Sequence, residues 1–170
     1  MPSAVTMRSV TAADIPAIEA LHDRAFGPGR YARTAYRVRE GLPPLSPLCR
    51  LAERDGVLAA ALRMAPVTIG GRAGAQLLGP LAVEPPLKGF GIGKALVVDA
   101  LAAAKNTGVL LIVLVGDLPY YERFGFMVAP PGRFDLGGPV NPARLLYLEL
   151  TPGVISEFLG VMRATHTLAS

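Results

Sequence analysis

The sequence predicts an α+β fold, and three observations carry that prediction. Residues 48–83 are predicted to form three strands joined by tight turns, which is typical of an antiparallel meander. A single helical stretch, residues 91–106, follows them. Val109 to Val115 is then a run of seven apolar residues, the pattern of a strand covered on both faces. This order differs from the regular strand–helix alternation of α/β proteins.

The N-terminal region is predicted to be helical. Thr11, with Asp14 three residues later, is typical of the start of a helix. Apolar residues at helical spacing then predict an amphipathic helix over residues 12–25. A second, basic helix is predicted over residues 30–40, and the Pro-rich residues 41–47 are predicted to form a loop.

Turn residues define the predicted meander. Leu48 to Arg54 and Val57 to Val67 are predicted strands, and Asp55-Gly56 between them is a strong hairpin signal. Gly70-Gly71 supplies the next turn, and Ala75 to Val83 is predicted to be the third strand.

The second half of the chain is predicted to hold one crossover and one last strand. A glycine-rich turn leads into the helix of residues 91–106, which precedes the buried strand. Leu118 to Phe124 is predicted to be a short helix, and Arg144 to Leu150 the last strand. No repeat or linker interrupts the chain, so residues 1–170 are predicted to form a single domain.

The composition limits the class of protein. Of the 170 residues, 51% are hydrophobic and 18% are charged, which excludes intrinsic disorder. The longest uncharged stretch of high hydropathy, Thr107 to Gly116, is about half of the ~20 residues that a membrane-spanning helix requires. The chain starts without an apolar signal segment, and its single Cys49 cannot form an internal disulfide. We therefore expect a cytoplasmic protein without a membrane partner.

The net charge of +4 does not by itself indicate a nucleic-acid partner, and none is predicted. The 14 Arg and 3 Lys residues are spread along the chain, and aromatic residues do not alternate with them as in single-strand binders. Basic residues are locally concentrated in one segment, which contains Arg30, Arg33, Arg37 and Arg39. Two interpretations stay open for it: a solvated helix face, or a site for an anionic ligand or acidic partner.

The most informative segment is the glycine-rich turn Lys88 to Lys94, between a predicted strand and a predicted helix. Alternating glycines let the backbone approach a ligand closely, and a helix start presents unpaired N–H groups that bind phosphate. A Walker A loop needs Ser or Thr where the chain has Ala95, and the GxGxxG fingerprint also fails. Lys88, Gly91 and Gly93 instead fit the pyrophosphate turn of acyl-CoA-dependent acetyltransferases, (Gln/Arg)-x-x-Gly-x-(Gly/Ala), with lysine in the first position.

Three segments together resemble the GNAT superfamily of N-acetyltransferases. Leu78-Gly-Pro-Leu-Ala-Val83-Glu-Pro, followed by Lys88-Gly-Phe-Gly-Ile-Gly-Lys-Ala-Leu96, is similar to its central motif. Tyr120-Tyr121-Glu-Arg-Phe-Gly-Phe126 resembles its Tyr-x-x-x-Gly-Phe segment, and Gly116-Asp-Leu-Pro-Tyr-Tyr121 resembles the YhbS-type branch. The resemblance covers about residues 5–150 and implies a mixed, mainly antiparallel sheet flanked by helices.

The resemblance implies a site for acetyl-CoA and no metal. Backbone amides of the turn would hold the pyrophosphate, and the preceding strand would pair with the pantetheine arm and polarise the thioester carbonyl. Lys94 is interpreted either as a phosphate-binding cation or as a solvated helix residue. The implied cofactor-binding residues are Leu81, Ala82, Val83, Lys88, Gly89, Phe90, Gly91, Ile92, Gly93 and Lys94.

The resemblance also implies a general acid. Tyr121 aligns with the family tyrosine that reprotonates the departing thiolate of coenzyme A. The alternative for Tyr121 is a buried aromatic residue that packs the short helix, as Tyr120, Phe124 and Phe126 are expected to do.

An alkyl amine must lose a proton before it attacks the thioester, so a general base is expected. The sequence offers more than one candidate for it. Glu84 is one candidate, and its alternative is a charge near the helix dipole. Asp117 is another, against a turn-capping role. His22 is predicted to be solvated, and His166 lies in a tail that the sequence does not place. A water relay without a dedicated base also stays open.

At two positions the sequence does not support a ligand-binding or catalytic role. The family commonly has an asparagine seven residues before the tyrosine, and this chain has Leu114, so no ligand contact is transferred to that position. Cys49 lies in a predicted strand and is expected to be a small core residue, not a nucleophile.

The resemblance therefore implies an N-acetyltransferase that moves an acetyl group from acetyl-CoA to a primary amine by direct attack. The acceptor, a small molecule or a peptide, is not specified. The alternative is a non-catalytic acyl-CoA-binding or sensing module, which would not need Tyr121. Residues 151–170 are interpreted as a final packed element or as a dimerisation segment, so a homodimer is one predicted state.

Overall fold

A meander of antiparallel strands forms the first half of the sheet. The computed structural model describes residues 4–27, Val38 and 45–165. The strands are β1 (Val5–Ser9), β2 (Arg50–Arg54), β3 (Val57–Ile69) and β4 (Arg72–Val83). Asp55 and Gly56, between β2 and β3, have φ angles of 53° and 80°, and positive φ at both positions is what a type I′ hairpin turn requires. The predicted hairpin is confirmed.

One helical crossover connects this meander to the second half of the sheet. Helix α2 (Ile92–Asn106) leads from β4 to β5 (Leu111–Val115), which pairs with β4 in parallel. The next elements are α3 (Leu118–Tyr121), β6 (Met127–Val128), β7 (Phe134–Asp135) and β8 (Leu145–Glu149). Strand β8 pairs antiparallel with β5 and with β6, so the order is β1-β2-β3-β4-β5-β8-β6. The mixed, mainly antiparallel sheet is the expected one.

Strand β5 is buried on both faces, as its continuous apolar run predicts. Ile112 and Leu114 belong to the hydrophobic cluster under α2, whereas Leu111 and Val113 belong to the cluster on the opposite face. All four side chains are at most 1% exposed. Because successive side chains of a strand point to opposite faces, a strand between two cores needs apolar residues at every position.

The helices cover opposite faces of the sheet. Helix α1 (Ile15–Phe26; preceded by β1) packs through Ile18 and Leu21 into a cluster with strands β2 to β4, and α2 packs on the other face. The carboxylate of Asp14 accepts hydrogen bonds from the backbone N–H and the hydroxyl of Thr11, at 2.8 and 3.0 Å. The predicted helix start is confirmed, although the first turn, Ala12–Asp14, is a 3-10 helix.

The predicted strand Arg144 to Leu150 is confirmed as β8 (Leu145–Glu149), but the prediction that it is the last strand is wrong. Strand β9 (Gly160–Ala164) follows, pairing antiparallel with the end of β3 and in parallel with β7. The strand is short and only Met162 of its five residues is buried, so its apolar pattern is weak. The C-terminal residues up to 165 thus pack as a final element.

Some predictions fall outside the described residues. These are the basic helix over residues 30–40 with its four arginines (Val38 excepted), most of the loop over residues 41–47, and His166. Within the described ranges, no helix has the length and apolar character that crossing a membrane requires.

Candidate active site

The site begins where β4 and β5 separate. The two strands pair only through Ala75–Leu77 and Leu111–Val113, after which a cavity of about 690 Å³ opens between them. The end of α1 contributes Ala25 and Phe26 from one face of the sheet, and the start of α2 contributes from the other face. The cavity is therefore bounded by elements from both faces of the sheet.

The end of β4 directs backbone donors into this cavity. The N–H of Glu84 donates to the carbonyl of Ala59 on β3, at 2.8 Å. Hydrogen-bonded and non-hydrogen-bonded pairs alternate along an antiparallel ladder, so Ala82 also faces β3, whereas Leu81 and Val83 direct their N–H groups toward β5. Pro80, one residue earlier, has no N–H to donate.

The glycine-rich turn forms one end of the cavity. Gly91 is the N-cap of α2 with φ of 81°, a left-handed conformation that favours glycine, and no atom lies within 4 Å of where its Cβ would be. The N–H groups of Ile92, Gly93 and Lys94 begin the helix, where such groups have no intrahelical partner and the dipole is positive. This end of the cavity is suited to an anion.

Nine of the ten predicted cofactor-binding residues line the cavity. The exception is Phe90, whose side chain is 69% exposed and lies with its ring 5.9 Å from the Arg54 guanidinium. Among all lining residues that the structure describes, Asp117 is the one acid, against four cations: Lys88, Lys94, Arg123 and Arg144. This excess of positive charge suits a polyanionic ligand.

Tyr121 lies in the cavity wall at the end of β5. Its ring packs so closely on Gly116 that Cε2 would lie 2.7 Å from a Cβ there, and it contacts Phe126 edge to face at 5.7 Å. Burial is the main cause that raises the pKa of Tyr121 to about 12. The neighbouring Tyr120 and Asp117 also raise this pKa, whereas Arg144 lowers it. The phenol is therefore neutral and carries its proton at physiological pH.

The Tyr120 hydroxyl lies beside the start of α2, which the sequence did not predict. Its oxygen lies 3.2 Å from where a Cβ of Gly93 would be, above the first turn of α2. The ring of Tyr120 contacts Tyr121 edge to face at 4.9 Å, and the Arg123 guanidinium lies 5.0 Å from the ring centre. Consecutive helical residues point about 100° apart, but only the folded chain shows which of two adjacent tyrosines faces α2.

The two candidate bases lie in different surroundings. Glu84 accepts two hydrogen bonds from Arg24, which lower the pKa of its carboxyl group, and its side chain is not part of the cavity lining. Asp117 lines the cavity; its side chain is 75% exposed and accepts a hydrogen bond from Nε of Arg144 at 3.2 Å. These two ion pairs could not be predicted from the sequence, because Arg24 and Arg144 each lie far along the chain from the carboxylate that they contact.

The prediction that His22 is solvated is wrong. His22 is 6% exposed and its ring lies 5.8 Å from that of Phe26. It follows Ile18 by four residues, and this spacing places both on the buried face of α1. Cys49 is confirmed as a core residue at 2% exposure, and Leu114 is buried among apolar side chains, where it offers no polar group to a ligand.

Metal ligands are not grouped in the described part of the chain. Within residues 4–27, Val38 and 45–165, no three His, Cys, Asp or Glu side chains lie close enough together to hold a metal ion. The arrangement instead offers backbone donors, cations and a neutral phenol around a channel. These groups suit a long anionic ligand with a reactive group at one end.

Known proteins share this architecture. Residues 6–129 match the sequence family described as an acetyltransferase (GNAT) domain. The uncharacterized N-acetyltransferase YhbS of Escherichia coli K12 is 31% identical over 119 residues, which cover 68% of this chain and 70% of YhbS.

Solved structures agree with that match. The GNAT family N-acetyltransferase YhbS from Escherichia coli, in complex with CoA, superposes with a TM-score of 0.81 at 24% identity, over 97% of this chain and 92% of that one. A GNAT family acetyltransferase from Brucella melitensis, in complex with acetyl-CoA, gives a TM-score of 0.70 at 27% identity, over 96% of each chain. The expected fold is confirmed.

Proposed function

The chain belongs to the GNAT family of acetyltransferases, and from this premise we propose that it transfers an acetyl group from acetyl-CoA to a primary amine by direct attack. The observation that carries the proposal is the cavity between β4 and β5, which joins a turn suited to an anion to the partly buried phenol of Tyr121. The similar Brucella melitensis acetyltransferase was solved with acetyl-CoA. The whole chain is proposed to act as one N-acetyltransferase domain.

The turn and the first turn of α2 are proposed to bind the diphosphate of the cofactor. Backbone N–H groups from Gly91 to Lys94 offer hydrogen bonds, and Lys88 and Lys94 add positive charge at the cavity wall. A side chain at Gly93 would meet Val83 Cγ2 at 3.1 Å, so glycine keeps the approach from β4 to α2 open.

The end of β4 is proposed to bind the pantetheine arm through its backbone. Of the three residues named from the sequence, Leu81 and Val83 direct N–H groups toward β5, whereas Ala82 contributes the opposite face of the strand. When bound, acetyl-CoA supplies an activated thioester. A backbone N–H near its carbonyl would stabilise the developing negative charge, an effect typically worth ~2.7–4 kcal/mol.

Tyr121 is proposed to be the general acid. A new C–N bond forms as the amine attacks the carbonyl carbon, and the C–S bond then breaks. The neutral phenol of Tyr121 gives its proton to the departing thiolate, and the proton released by the amine restores the phenol. Its position in the cavity wall near Asp117 and Arg144 supports this role.

The proton acceptor for the amine is proposed to be Asp117 or water bound to it. Asp117 lines the cavity, as an acceptor for a cationic amine must. Glu84 stays a prediction from the sequence, but the lowered pKa of its carboxyl group weakens it as a base. A cytoplasmic location and a homodimer also stay predictions.

A thiol-release assay tests the proposed function. Purified protein is mixed with acetyl-CoA and a panel of small amines and peptides, and free thiol is measured with a colorimetric reagent. We expect release that depends on one class of amine, with an acetylated product of matching mass. Calorimetric binding of CoA without release for any amine would favour the alternative, a non-catalytic acyl-CoA-binding module.

A further inference from the structure

We propose that the hydroxyl of Tyr120 is a cofactor-binding group that donates a hydrogen bond to a diphosphate oxygen at the first turn of α2. This inference rests on the proposed function, because it assumes that the cavity binds coenzyme A. It adds a side-chain donor to the backbone donors of the turn. It also separates the roles of two adjacent tyrosines.

The first support is the position of the hydroxyl. It lies 3.2 Å from where a Cβ of Gly93 would be, and Val83 Cγ2 lies 3.1 Å from the same point. The phenol therefore reaches across the cavity from α3 to the place where β4 and α2 come together. This place borders the first turn of α2, whose N–H groups have no intrahelical partner and whose residues line the cavity.

The second support is that this hydroxyl is not engaged by another group of the described chain. Within the part of the chain that the structure describes, the Tyr120 hydroxyl makes no hydrogen bond, although the residue is half-buried and lines the cavity. This oxygen is not among the buried, unpartnered polar atoms of the described residues, so it is open to the cavity and available to a ligand. A phosphate oxygen bound at the helix start would supply an acceptor of the right chemistry.

The third support is that the ring is held in this orientation. It contacts Tyr121 edge to face at 4.9 Å and Phe124 at 5.8 Å, and the Arg123 guanidinium lies 5.0 Å from its centre. Burial raises the pKa of Tyr120, so the hydroxyl keeps its proton at neutral pH. A fixed, protonated phenol beside a cation is a suitable donor to an anion.

The two tyrosines thus serve different ends of one ligand. Tyr121 packs on Gly116, at the end of the cavity where Asp117 and Arg144 lie, whereas the Tyr120 hydroxyl lies above α2. Consecutive positions on the short helix α3 produce this divergence, since helical neighbours point about 100° apart. Tyr120 would affect cofactor affinity, and Tyr121 would affect turnover.

Calorimetric titration of CoA into wild type, Tyr120→Phe and Tyr121→Phe tests this division. We expect Tyr120→Phe to weaken CoA binding about tenfold, the size expected for a hydrogen bond to a charged group. Tyr121→Phe, the matched control, should keep the wild-type affinity within about twofold. Because Tyr120→Phe removes one oxygen without a partner in the described structure, its melting temperature should equal that of wild type.

Pantetheine, which lacks the diphosphate, is the second probe. We expect wild type and Tyr120→Phe to bind it equally, because the hydroxyl would have no phosphate to contact. Equal CoA affinity in the two proteins, or an equal loss for CoA and pantetheine, would overturn the inference alone. Wild-type protein that binds no CoA would overturn the proposed function itself, so the two failures are distinguishable.

Discussion

The carboxylate of Glu84 accepts hydrogen bonds from Nε and Nη2 of Arg24, at 2.9 and 2.7 Å. This bidentate pair joins the last turn of α1 to the residue that follows β4, across 60 positions of sequence. The next residues of α1, Ala25 and Phe26, line the cavity. The ion pair therefore holds one wall of the cavity against the strand that is proposed to bind the cofactor.

Glu84→Gln and Arg24→Gln should lower turnover by similar, small factors. If the ion pair positions α1, either substitution removes the same interaction, and the double variant should be no worse than the single ones. A general base would behave differently, since its loss typically costs about 10²–10⁴-fold in rate. Steady-state kinetics of the three variants measure this, and a large loss confined to Glu84→Gln would restore Glu84 as the base.

The stabilising effect of Glu84 should depend on pH in one direction. Arg24 lowers the pKa of the folded carboxyl group, so the contribution is complete above the ordinary carboxyl value of ~4.3 and is lost as the pH falls through the lower folded value. The difference in unfolding free energy between wild type and Glu84→Gln should therefore shrink in acid. Denaturant titrations at several pH values measure it, and a difference that grows in acid would contradict the ion pair.

Tyr121→Phe should lower turnover by at least about a hundredfold, the range typical for loss of a general acid. The pKa of about 12 keeps the phenol protonated, so in wild type Tyr121 should cause no loss of turnover up to about pH 10. Presteady-state measurement of thiol release across pH tests both expectations. Equal losses of turnover and of CoA affinity would instead indicate that the ring only packs the wall.

Local signals were sufficient for most of the fold. Asp55-Gly56 requires a hairpin because both residues adopt positive φ, and the run from Val109 to Val115 requires burial on both faces. The strand β9 was missed because a five-residue strand with one buried side chain, Met162, has almost no periodic signal. Its place is set by pairing with β3, a contact between distant segments.

The candidate site, like the fold, could be predicted from the sequence only in part. The turn from Lys88 to Lys94 could be predicted because its glycines and its place between strand and helix are local properties. The ion pair of Glu84 with Arg24 could not, because no spacing rule connects residues 60 positions apart. The orientation of Tyr120 also depends on how α3 is set against α2, which is a property of tertiary packing.

Gly91→Glu should weaken acetyl-CoA binding by at least about tenfold, because a carboxylate at the N-cap of α2 would repel the diphosphate. Gly91→Ala is the matched control. Both substitutions place a side chain at φ of 81°, so both should lose a similar ~1–2 kcal/mol of stability. Calorimetry and thermal melting together separate the two effects. Unchanged affinity in Gly91→Glu would contradict the placement of the cofactor.

Gly70→Ala should be markedly more destabilising than Gly71→Ala, although both residues have positive φ in the same turn. A Cβ at Gly70 would overlap the carbonyl oxygen of Leu159, where β9 approaches the turn, whereas nothing lies within 4 Å of the corresponding position at Gly71. Both variants share the cost of the left-handed conformation, ~1–2 kcal/mol. Gly70→Ala should lose a further ~1–3 kcal/mol through overpacking, measured by urea unfolding. Equal losses would mean that β9 does not dock on this turn.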